Sequence, residues 1–482
     1  MDALADIWPQ LTWITVLVVS VLASGHAVLY KRDSRAAIGW VGLIWVAPVV
    51  GALLYVFLGI NRIKRRAALL RGEMLHRAPG PVAQLVAPGS LEAALMPDRV
   101  HLSALLQLVN TISTRPMVPG NRVTALIDGD AAYPAMLAAI EGARRTISLS
   151  TYIFDHDRAG ALFRDALRGA VERGVEVRVL IDAVGARYSL PPMEKTLRRA
   201  GVPVARFLPT VLPWRLPYLN LRNHRKILIV DGAVGFTGGM NIREGHLLRL
   251  APAHPVADLH FRLDGPVVAQ LQEVFAEDWR FTTKEALEGD AWFPPLSPCG
   301  HAPARAISDG PDEDFDKLRV ALLGAIACAR RSIQILTPYF LPDSATITAL
   351  SIAALRGVRV DVLLPLNNNL ALVKWASMAQ LWRVLESGVH VHLVGGPFDH
   401  SKLMIVDDAW VLIGSANWDA RSLRLNFELN VEIYDEGLAD ELGALVRDKL
   451  GRAHELSLAE VDGRSLPVRL RDGVARLFTP YL

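Results

Sequence analysis

The sequence predicts an α/β protein made of two similar halves and preceded by a pair of membrane-spanning helices. Three observations predict this architecture: two long uncharged segments near the N-terminus, a β-α-β pattern that occurs twice, and a polar motif that closes each copy. Apolar strands that alternate with amphipathic helices are typical of layered α/β folds. With 482 residues, the chain is long enough for two or three domains of about 150 residues each.

Two uncharged segments justify the membrane hairpin. No formal charge occurs from Trp8 to Tyr30 or from Ala36 to Ile60, and each run matches the ~20 residues that a helix needs to cross hydrocarbon. Only Lys31 to Arg35 separates them. A cleaved signal peptide would need a basic start, whereas Asp2 and Asp6 precede the first run. We predict a transmembrane hairpin over residues 1–66, with spans at about 8–30 and 36–60.

Flanking charges indicate the orientation of this hairpin, whose two ends lie on one side of the membrane. Three basic residues lie in the loop, and four follow the second span: Arg62, Lys64, Arg65 and Arg66. This excess favours a cytoplasmic body. The basic residues up to Arg77 either contact anionic headgroups or only end the second span, and both interpretations remain open.

Two β-α-β units justify the two halves. The strand-like segments are Thr146–Ile153 and Val175–Asp182 in the first unit, and Ile333–Phe340 and Val358–Pro365 in the second. A helical stretch and an Arg-Gly turn join the members of each pair. Proline- and glycine-rich segments separate the units from the hairpin and from each other. The predicted boundaries are a linker over 67–101, a first half over 102–287, a linker over 288–316 and a second half over 317–482.

Each half ends in the same polar motif. The pattern H-x-K-x4-D-x6-G-[GS]-x-N occurs twice with identical offsets, which chance almost never produces. The candidate residues that fit it are His224, Lys226, Asp231, Gly239 and Asn241 in the first half and His400, Lys402, Asp407, Ser415 and Asn417 in the second.

The spacing within the motif has a chemical meaning. On a strand, a histidine and a lysine two positions apart point to the same face. Two facing halves would present two imidazoles and two ammonium groups, a cavity suited to a phosphodiester and to the extra negative charge of its transition state. One histidine can attack phosphorus, while the other protonates the leaving alkoxide and then deprotonates the incoming hydroxyl. This chemistry requires no metal, and we expect no metal and no cofactor.

Composition narrows the remaining classes. The chain has 52 Lys and Arg residues against 49 Asp and Glu, a net charge of +3, so no overall basic field indicates nucleic acid as a partner. The two cysteines, Cys299 and Cys328, have neither a CxxC nor a zinc-site spacing. A disulfide scaffold and a cysteine-ligated metal are therefore not predicted.

The paired motif is the signature of the phospholipase D superfamily, and the chain resembles the bacterial cardiolipin synthases within it over nearly its whole length. Similar segments also include Thr151–Phe154, Asn220–Lys226, Gly238–Ile242, Thr337–Phe340 and Gly414–Ser422. The resemblance implies two pseudo-symmetric phospholipase D-like α/β/α sandwich halves that share one active site. It also implies a multi-pass protein of the bacterial inner (plasma) membrane.

The activity that this resemblance implies is transphosphatidylation, in which a histidine takes the phosphatidyl group of one phospholipid and passes it to a hydroxyl of phosphatidylglycerol. With phosphatidylglycerol as donor too, the products are cardiolipin and glycerol. The resemblance favours His224 as the nucleophile and His400 as the acid and base. The residues expected to hold the phosphate are Lys226, Lys402, Asn241 and Asn417, with Ser415 and Gly239 beside them.

Four carboxylates receive supporting roles from the same resemblance. Asp231 and Asp407, which belong to the catalytic motifs, would order the site from behind rather than touch the substrate. Glu428 would hold the second ring nitrogen of His400, and Asp258 would hold that of His224, which fixes each tautomer.

Other functions remain open on the sequence alone. A phospholipase D that uses water as acceptor would pass through the same covalent intermediate, and the donor or the acceptor alcohol could differ. A nuclease is disfavoured, because it needs a basic groove with aromatic side chains. Pro255–Ala257 and Asn367–Asn369 depart from the pattern common in cardiolipin synthases, and both lie near the expected mouth of the site.

Overall fold

The computed structural model of the chain describes residues 2–31, 34–59, 97–209, 221–311 and 316–479. The end of the predicted second span, the basic stretch from Arg62 to Arg77 and most of the first predicted linker lie outside these residues. The described residues belong to two compact units, an N-terminal one and a larger body.

The N-terminal unit contains the predicted spans. Its helices are α1 (Asp2–Tyr30), α2 (Ser34–Val46) and α3 (Pro48–Leu54), followed by a π-helical turn over Tyr55–Gly59. Among the described residues, Gln10–Tyr30 is the one helix that is long and apolar enough to cross a membrane. The first predicted span is therefore a continuous helix.

The second predicted span is not one helix, which corrects the expectation from its length. Ala47 leaves the helical conformation, with φ −134° and ψ 75°, because Pro48 disfavours that conformation in the residue before it and has no N–H of its own. The backbone of Gly51 then approaches Leu43 so closely that a Cβ at Gly51 would lie 2.4 Å from the Leu43 carbonyl oxygen. The apolar run therefore bends sharply at this proline.

The body alternates strands and helices, as the two β-α-β units predict. After a 3₁₀ turn over Pro97–Leu102, the elements are α4 (Ser103–Ile112), β1 (Val118–Ile127), α5 (Asp128–Gly142), β2 (Thr146–Thr151), α6 (Arg158–Glu172), β3 (Glu176–Asp182), α7 (Met193–Arg199), β4 (Val204–Phe207), β5 (Arg222–Asn223), β6 (Ile227–Val230), β7 (Val234–Gly238), β8 (Val256–Ala257), β9 (Leu259–Asp264) and α8 (Val267–Thr283).

The second half repeats this order. Its elements are β10 (Ala302–Asp309), α9 (Lys317–Cys328), β11 (Ser332–Leu336), α10 (Ser344–Leu355), β12 (Arg359–Pro365), α11 (Ala371–Met378), α12 (Trp382–Leu385), β13 (His390–Val394), β14 (Phe398–Asp399), β15 (Leu403–Val406), β16 (Trp410–Gly414), β17 (Asn426–Tyr434), α13 (Glu436–Gly451), β18 (Ala453–Glu455), α14 (Leu458–Asp462) and α15 (Leu466–Leu477).

One continuous sheet joins the two halves in the described part of the body. Its order is β18-β13-β12-β11-β15-β16-β17-β10-β1-β9-β7-β6-β2-β3-β4. The order of the first half, read outward from β1, matches the order of the second half, read outward from β10. The antiparallel pairing of β1 with β10 is therefore the point about which the halves are related, and β9 and β17 lie directly beside it.

Two predicted boundaries need correction. Strand β10 lies within the segment predicted as the 288–316 linker, where its alternating Ala302, Ala304 and Ala306 are buried. Helix α4, at the start of the predicted first half, packs its Leu105 and Leu106 into the apolar core of the second half. The nearby prolines suggested that the segment of β10 is a linker, and the position of α4 in the chain suggested that it belongs to the first half. Burial of apolar surface instead decides where each segment packs.

Candidate active site

Each motif histidine directly follows a short strand that pairs with a strand near the other motif. Strand β5, just before His224, pairs in parallel with the start of β17, and the His224 N–H donates to the Phe427 carbonyl at 2.9 Å. Strand β14, just before His400, pairs with β8, and the His400 N–H donates to the Ala257 carbonyl at 2.8 Å. Through these two pairings, each motif contacts the residues that follow the other motif in the chain.

The histidine-carboxylate pairs are consequently crossed between the halves. The Nδ1 of His224 lies 3.0 Å from both carboxylate oxygens of Glu428, and the Nδ1 of His400 lies 2.8 Å from Asp258 Oδ2. A carboxylate only accepts, so each Nδ1 carries the proton and each Nε2 is left for chemistry. The expected assignment, Glu428 to His400 and Asp258 to His224, is wrong.

The lysines of the motifs lie beside the histidines. Lys226 Nζ donates to the His224 carbonyl at 2.6 Å, and Lys402 Nζ donates in the same way to the His400 carbonyl. The ring of Tyr152 lies 5.2 Å from the His224 ring and 5.6 Å from Lys226 Nζ. Both histidines and both lysines are buried, so these side chains share a low-dielectric pocket.

Burial lowers the pKa of both histidines and both lysines in this pocket. Burial, opposed by Glu428, lowers the pKa of His224 to about 4, and burial lowers the pKa of Lys226 to about 7 and that of Lys402 to about 8. The pKa of His400 is also well below its usual value, because burial is reinforced by Lys402, Lys226 and His224. The lysine of each motif lowers the pKa of the histidine in the other motif, so the two motifs face one pocket. An entering anion would raise all four pKa values.

The two carboxylates differ in their environments. Burial raises the pKa of Asp258 to about 6. Burial also opposes ionisation of Glu428, but His224, Lys226 and the Ser415 hydroxyl together hold its pKa below the usual value. Glu428 accepts from Ser415 Oγ at 2.5 Å and from Asn426 Nδ2 at 3.0 Å in addition to His224. The His224 pair therefore has the more firmly ionised carboxylate.

Asp231 and Asp407 lie at the far ends of β6 and β15 from the histidines, which is consistent with the expected role behind the site and places them outside the catalytic group. Asp231 accepts from the backbone N–H groups of Arg144, Arg145 and Thr146 at 2.7–3.0 Å. Asp407 accepts from three N–H groups before and at the start of β11 and from His101 Nε2 at 2.7 Å. Both carboxylates fix the start of the neighbouring strand, because each accepts from three consecutive backbone N–H groups there.

The four predicted phosphate-binding residues after the motifs fall into two groups. Asn241 and Asn417 are buried next to the pocket strands. Asn241 Oδ1 accepts from the Ile153 N–H at 3.1 Å, whereas Asn417 Oδ1 has no hydrogen-bond partner within the described ranges. Ser415 and Gly239 instead serve the carboxylates: Ser415 donates to Glu428, and a Cβ at Gly239 would lie 2.2 Å from an Asp258 oxygen. The structure thus gives these two residues a supporting position.

Comparison with known proteins shows which family this chain belongs to. A family profile described as cardiolipin synthase, phospholipase D-like domain, matches residues 136–279 and 322–448. The cardiolipin synthase of Geobacillus kaustophilus is 33% identical over 465 residues, which cover 94% of this chain and 90% of that protein. Cardiolipin synthase A of Pseudomonas putida is 33% identical over 470 residues, with 96% of each chain covered. The chain belongs to the cardiolipin synthase family.

The fold of this cardiolipin synthase family member also matches a solved structure. Phosphatidylserine synthase of Haemophilus influenzae aligns with a TM-score of 0.61 at 15% identity, over 78% of this chain and 100% of that one. The predicted duplicated phospholipase D-like fold is confirmed, and the chain is an enzyme of the phosphatidyltransferase kind.

Sequence reasoning missed the residues that hold the two motif segments, although Asn223, Arg225 and Asp399 lie within or next to the motifs. In the first half, Asn223 and Arg225 both bond to Asp278 of α8, at 2.9 Å and 2.6 Å. In the second, Asp399 accepts from the Ser401 N–H at 3.0 Å and from Lys449 of α13 at 2.5 Å. Strand alternation turns these residues away from the histidine face, which is the signal that could have identified them.

A second missed group lies on the His224 side of the pocket. Arg222 precedes His224 by two positions and shares its strand face. Burial lowers the pKa of Arg421, and Arg222 lowers it further, so the two guanidinium groups are close enough to interact. Tyr152 and Tyr188, whose rings are 6.1 Å apart, interact with the same group. This cluster adds positive charge next to the first histidine.

Proposed function

We propose that the protein is a membrane-anchored phosphatidyltransferase that converts two phosphatidylglycerol molecules into cardiolipin and glycerol. The observation that carries this proposal is the crossed pair of histidines, each oriented by a carboxylate from the other half and accompanied by a buried lysine. A phosphodiester is the group that such a pocket can bind and transfer, because it is anionic and its transition state gains negative charge.

In the first step, His224 Nε2 attacks the phosphorus of one phosphatidylglycerol. A P–N bond forms and the P–O bond to the headgroup glycerol breaks, while protonated His400 gives its proton to the departing oxygen. The anionic phosphate raises the pKa of His400 when it binds, so the imidazolium form becomes accessible. Glu428 stabilises the positive charge that develops on His224.

In the second step, neutral His400 takes the proton of a hydroxyl on the second phosphatidylglycerol. The freed oxygen attacks phosphorus, the P–N bond breaks, and His224 returns as a neutral imidazole. Lys226 and Lys402, with the amides of Asn241 and Asn417, would hold the phosphate oxygens in both steps. Arg222 and Arg421 would supply positive charge for the phosphate of the second lipid, which does not react.

The difference between the two carboxylates supports the proposed roles of the two histidines. An ionised partner makes an imidazole more basic and therefore more nucleophilic. Glu428 is held ionised by its donors, whereas the pKa of Asp258 is raised to about 6. This difference supports His224 as the nucleophile and His400 as the acid and base.

The membrane arrangement belongs to the same proposal. Helix α1 and the bent run from α2 to Gly59 would anchor the enzyme in the bacterial inner membrane, with the loop between them on one face and the body on the other. The basic residues after the second run support a cytoplasmic body. The two halves would form the site together, with strand β10 (Ala302–Asp309) and helix α4 (Ser103–Ile112) belonging to the second half.

The test is to incubate purified full-length protein with phosphatidylglycerol alone, without added metal, and to follow the lipids by mass spectrometry. We expect cardiolipin with one glycerol released per molecule formed. Phosphatidic acid as the sole product would assign a hydrolase. Product formed only after another phospholipid is added would assign a different donor. His224→Ala and His400→Ala are the matched inactive controls.

A further inference from the structure

Helix α15 has two apolar faces, and only one of them packs against the part of the body that the structure describes. Its inner face buries Ala475 against α11, with Val373 and Ala376. Its outer face presents large apolar side chains to the surroundings: Leu466 is 68% exposed, Leu470 61%, Val474 55%, Leu477 73% and Phe478, which follows the helix, 51%. The spacing of four, four and three residues places the four helical ones in one stripe.

Basic residues border this stripe on both sides. At 100° per residue, Arg471 lies along one edge, and Arg469 and Arg476 lie along the other. The helix has one acidic residue, Asp472, which is buried and paired with Arg464 and Arg471. An apolar stripe between arginines is typical of helices that lie in the headgroup region of an anionic membrane.

The same helix is connected to the mouth of the active site. The guanidinium of Arg471 lies 4.4 Å from the Trp375 ring on α11. The loop that leads into α11 carries Asn369, whose Oδ1 accepts from the Tyr339 hydroxyl at 2.8 Å. The Tyr339 ring lies 6.4 Å from the ring of His400. Three contacts therefore connect the outer helix to a catalytic histidine.

Exposed apolar side chains also surround this mouth. Leu366, Leu370 and Leu372 are exposed on the α11 side, and Tyr188 and Leu190 are exposed on the side of the first half. Tyr188 interacts with both sides: its ring lies 6.1 Å from Tyr152, and it interacts electrostatically with Tyr339. A soluble substrate would not need an apolar rim of this kind, whereas a lipid that leaves a bilayer does.

We propose that the outer face of α15 and the leucines around α11, together the interfacial surface, bind an anionic phospholipid bilayer and hold the active-site mouth at its headgroups. The partner is the lipid surface itself, as the flanking arginines and the apolar stripe require. The proposal rests on the proposed function, because it takes the substrate to be a membrane lipid. It adds a contact that the N-terminal helices do not supply.

The first test uses full-length Leu470→Glu/Val474→Glu protein in nanodiscs that contain phosphatidylglycerol. We expect transfer in the bilayer to fall at least tenfold, while transfer with dispersed short-chain phosphatidylglycerol stays unchanged, because neither side chain touches the pocket. The matched control is Leu355→Glu, at a leucine that is 74% exposed on α10, and it should leave both activities unchanged. The proposal would be overturned if the double variant lost the same activity with both substrates, or if it lost activity with neither substrate.

The second test needs no turnover and thus separates this proposal from the proposed function. The substitutions Cys299→Ser and Cys328→Ser remove the native thiols. Leu470→Cys or Leu355→Cys then introduces a single thiol that carries an environment-sensitive fluorophore. Nitroxide lipids in the nanodisc should quench the fluorophore at position 470 but not at 355. Equal quenching at both positions would overturn the proposal. So would a cross-link between two copies at position 470 without lipid quenching, because that face would then bind a second chain.

Discussion

At the scale of single residues, the two halves of the site are similar in plan and different in chemistry. Ser415 donates a hydrogen bond to Glu428, whereas Gly239, at the matching position, leaves room for Asp258. Asn223 and Arg225 bind an aspartate on α8, whereas Asp399 binds a lysine on α13. Duplication thus provides two histidines, and the substituted neighbours give them unequal basicity.

The protonation of the two lysines predicts how substrate binding by the free enzyme depends on pH. Their cationic forms exist below their pKa values, about 7 for Lys226 and about 8 for Lys402, and are lost as the pH rises through those values. We therefore expect kcat/KM, which reports the free enzyme, to fall above about pH 7 to 8. Because bound phosphate raises both pKa values, kcat should stay constant to a higher pH. Steady-state kinetics across this range measures both, and a kcat/KM that rises through it would contradict the account.

Gly239 gives a second residue-scale prediction. In Gly239→Ala, the new methyl group must displace the Asp258 carboxylate from His400, and misplacement of a catalytic group by about 1 Å lowers kcat by ~100-fold. Ser415→Ala removes one donor from Glu428 and should lower kcat by about tenfold or less. The control is Gly142→Ala, where no atom lies within 4 Å of the added carbon. Equal effects of Gly239→Ala and this control on kcat would be inconsistent with the crossed pairs.

At the scale of elements, the motif strands β6 and β15 have a chemical end and a structural end. The histidine and lysine enter the pocket where each strand begins, and the aspartate of the motif caps the neighbouring strand where it ends. The four residues between the lysine and the aspartate of each motif are therefore a four-residue strand. Sequence spacing could not separate these roles, because all three polar residues belong to one pattern.

Asp231→Asn tests this division of roles. The amide keeps the size of the carboxylate but loses the charge that strengthens its bonds to the N–H groups of Arg144, Arg145 and Thr146. We expect a loss of about 1–3 kcal/mol of unfolding free energy, seen as a lower melting temperature, while kcat of the folded enzyme is retained. A kcat reduced by ~1000-fold at an unchanged melting temperature would instead place Asp231 in the chemistry.

At the scale of the whole molecule, the sequence could predict the duplication, the two motifs and the strand that carries each of them. It could not predict which carboxylate serves which histidine. Glu428 follows His400 along the chain, and Asp258 follows His224, so a chain-local assignment looked natural. The sheet reverses it, because β9 and β17 flank the central β1-β10 pair and the short strands before the histidines cross to the opposite half.

The sequence also could not predict how the helices are shared between the units. Apolar periodicity indicates that one face of α4 is buried, but it does not indicate against which half. The structure shows that the leucines of α4 belong to the apolar core of the second half. The bend at Pro48 was visible as a residue type, yet the length of the apolar run suggested a straight span. Long-range packing and a single proline override these local patterns.

The most direct measurement of the central claim uses a phospholipid whose leaving group is p-nitrophenol, because this group departs without a protonating histidine. In His400→Ala, we expect a burst of one nitrophenolate per chain and then no further release, since no base activates the acceptor. In His224→Ala, we expect no burst. A burst from His224→Ala, or steady turnover in either variant, would contradict a single site with His224 as nucleophile and His400 as acid and base.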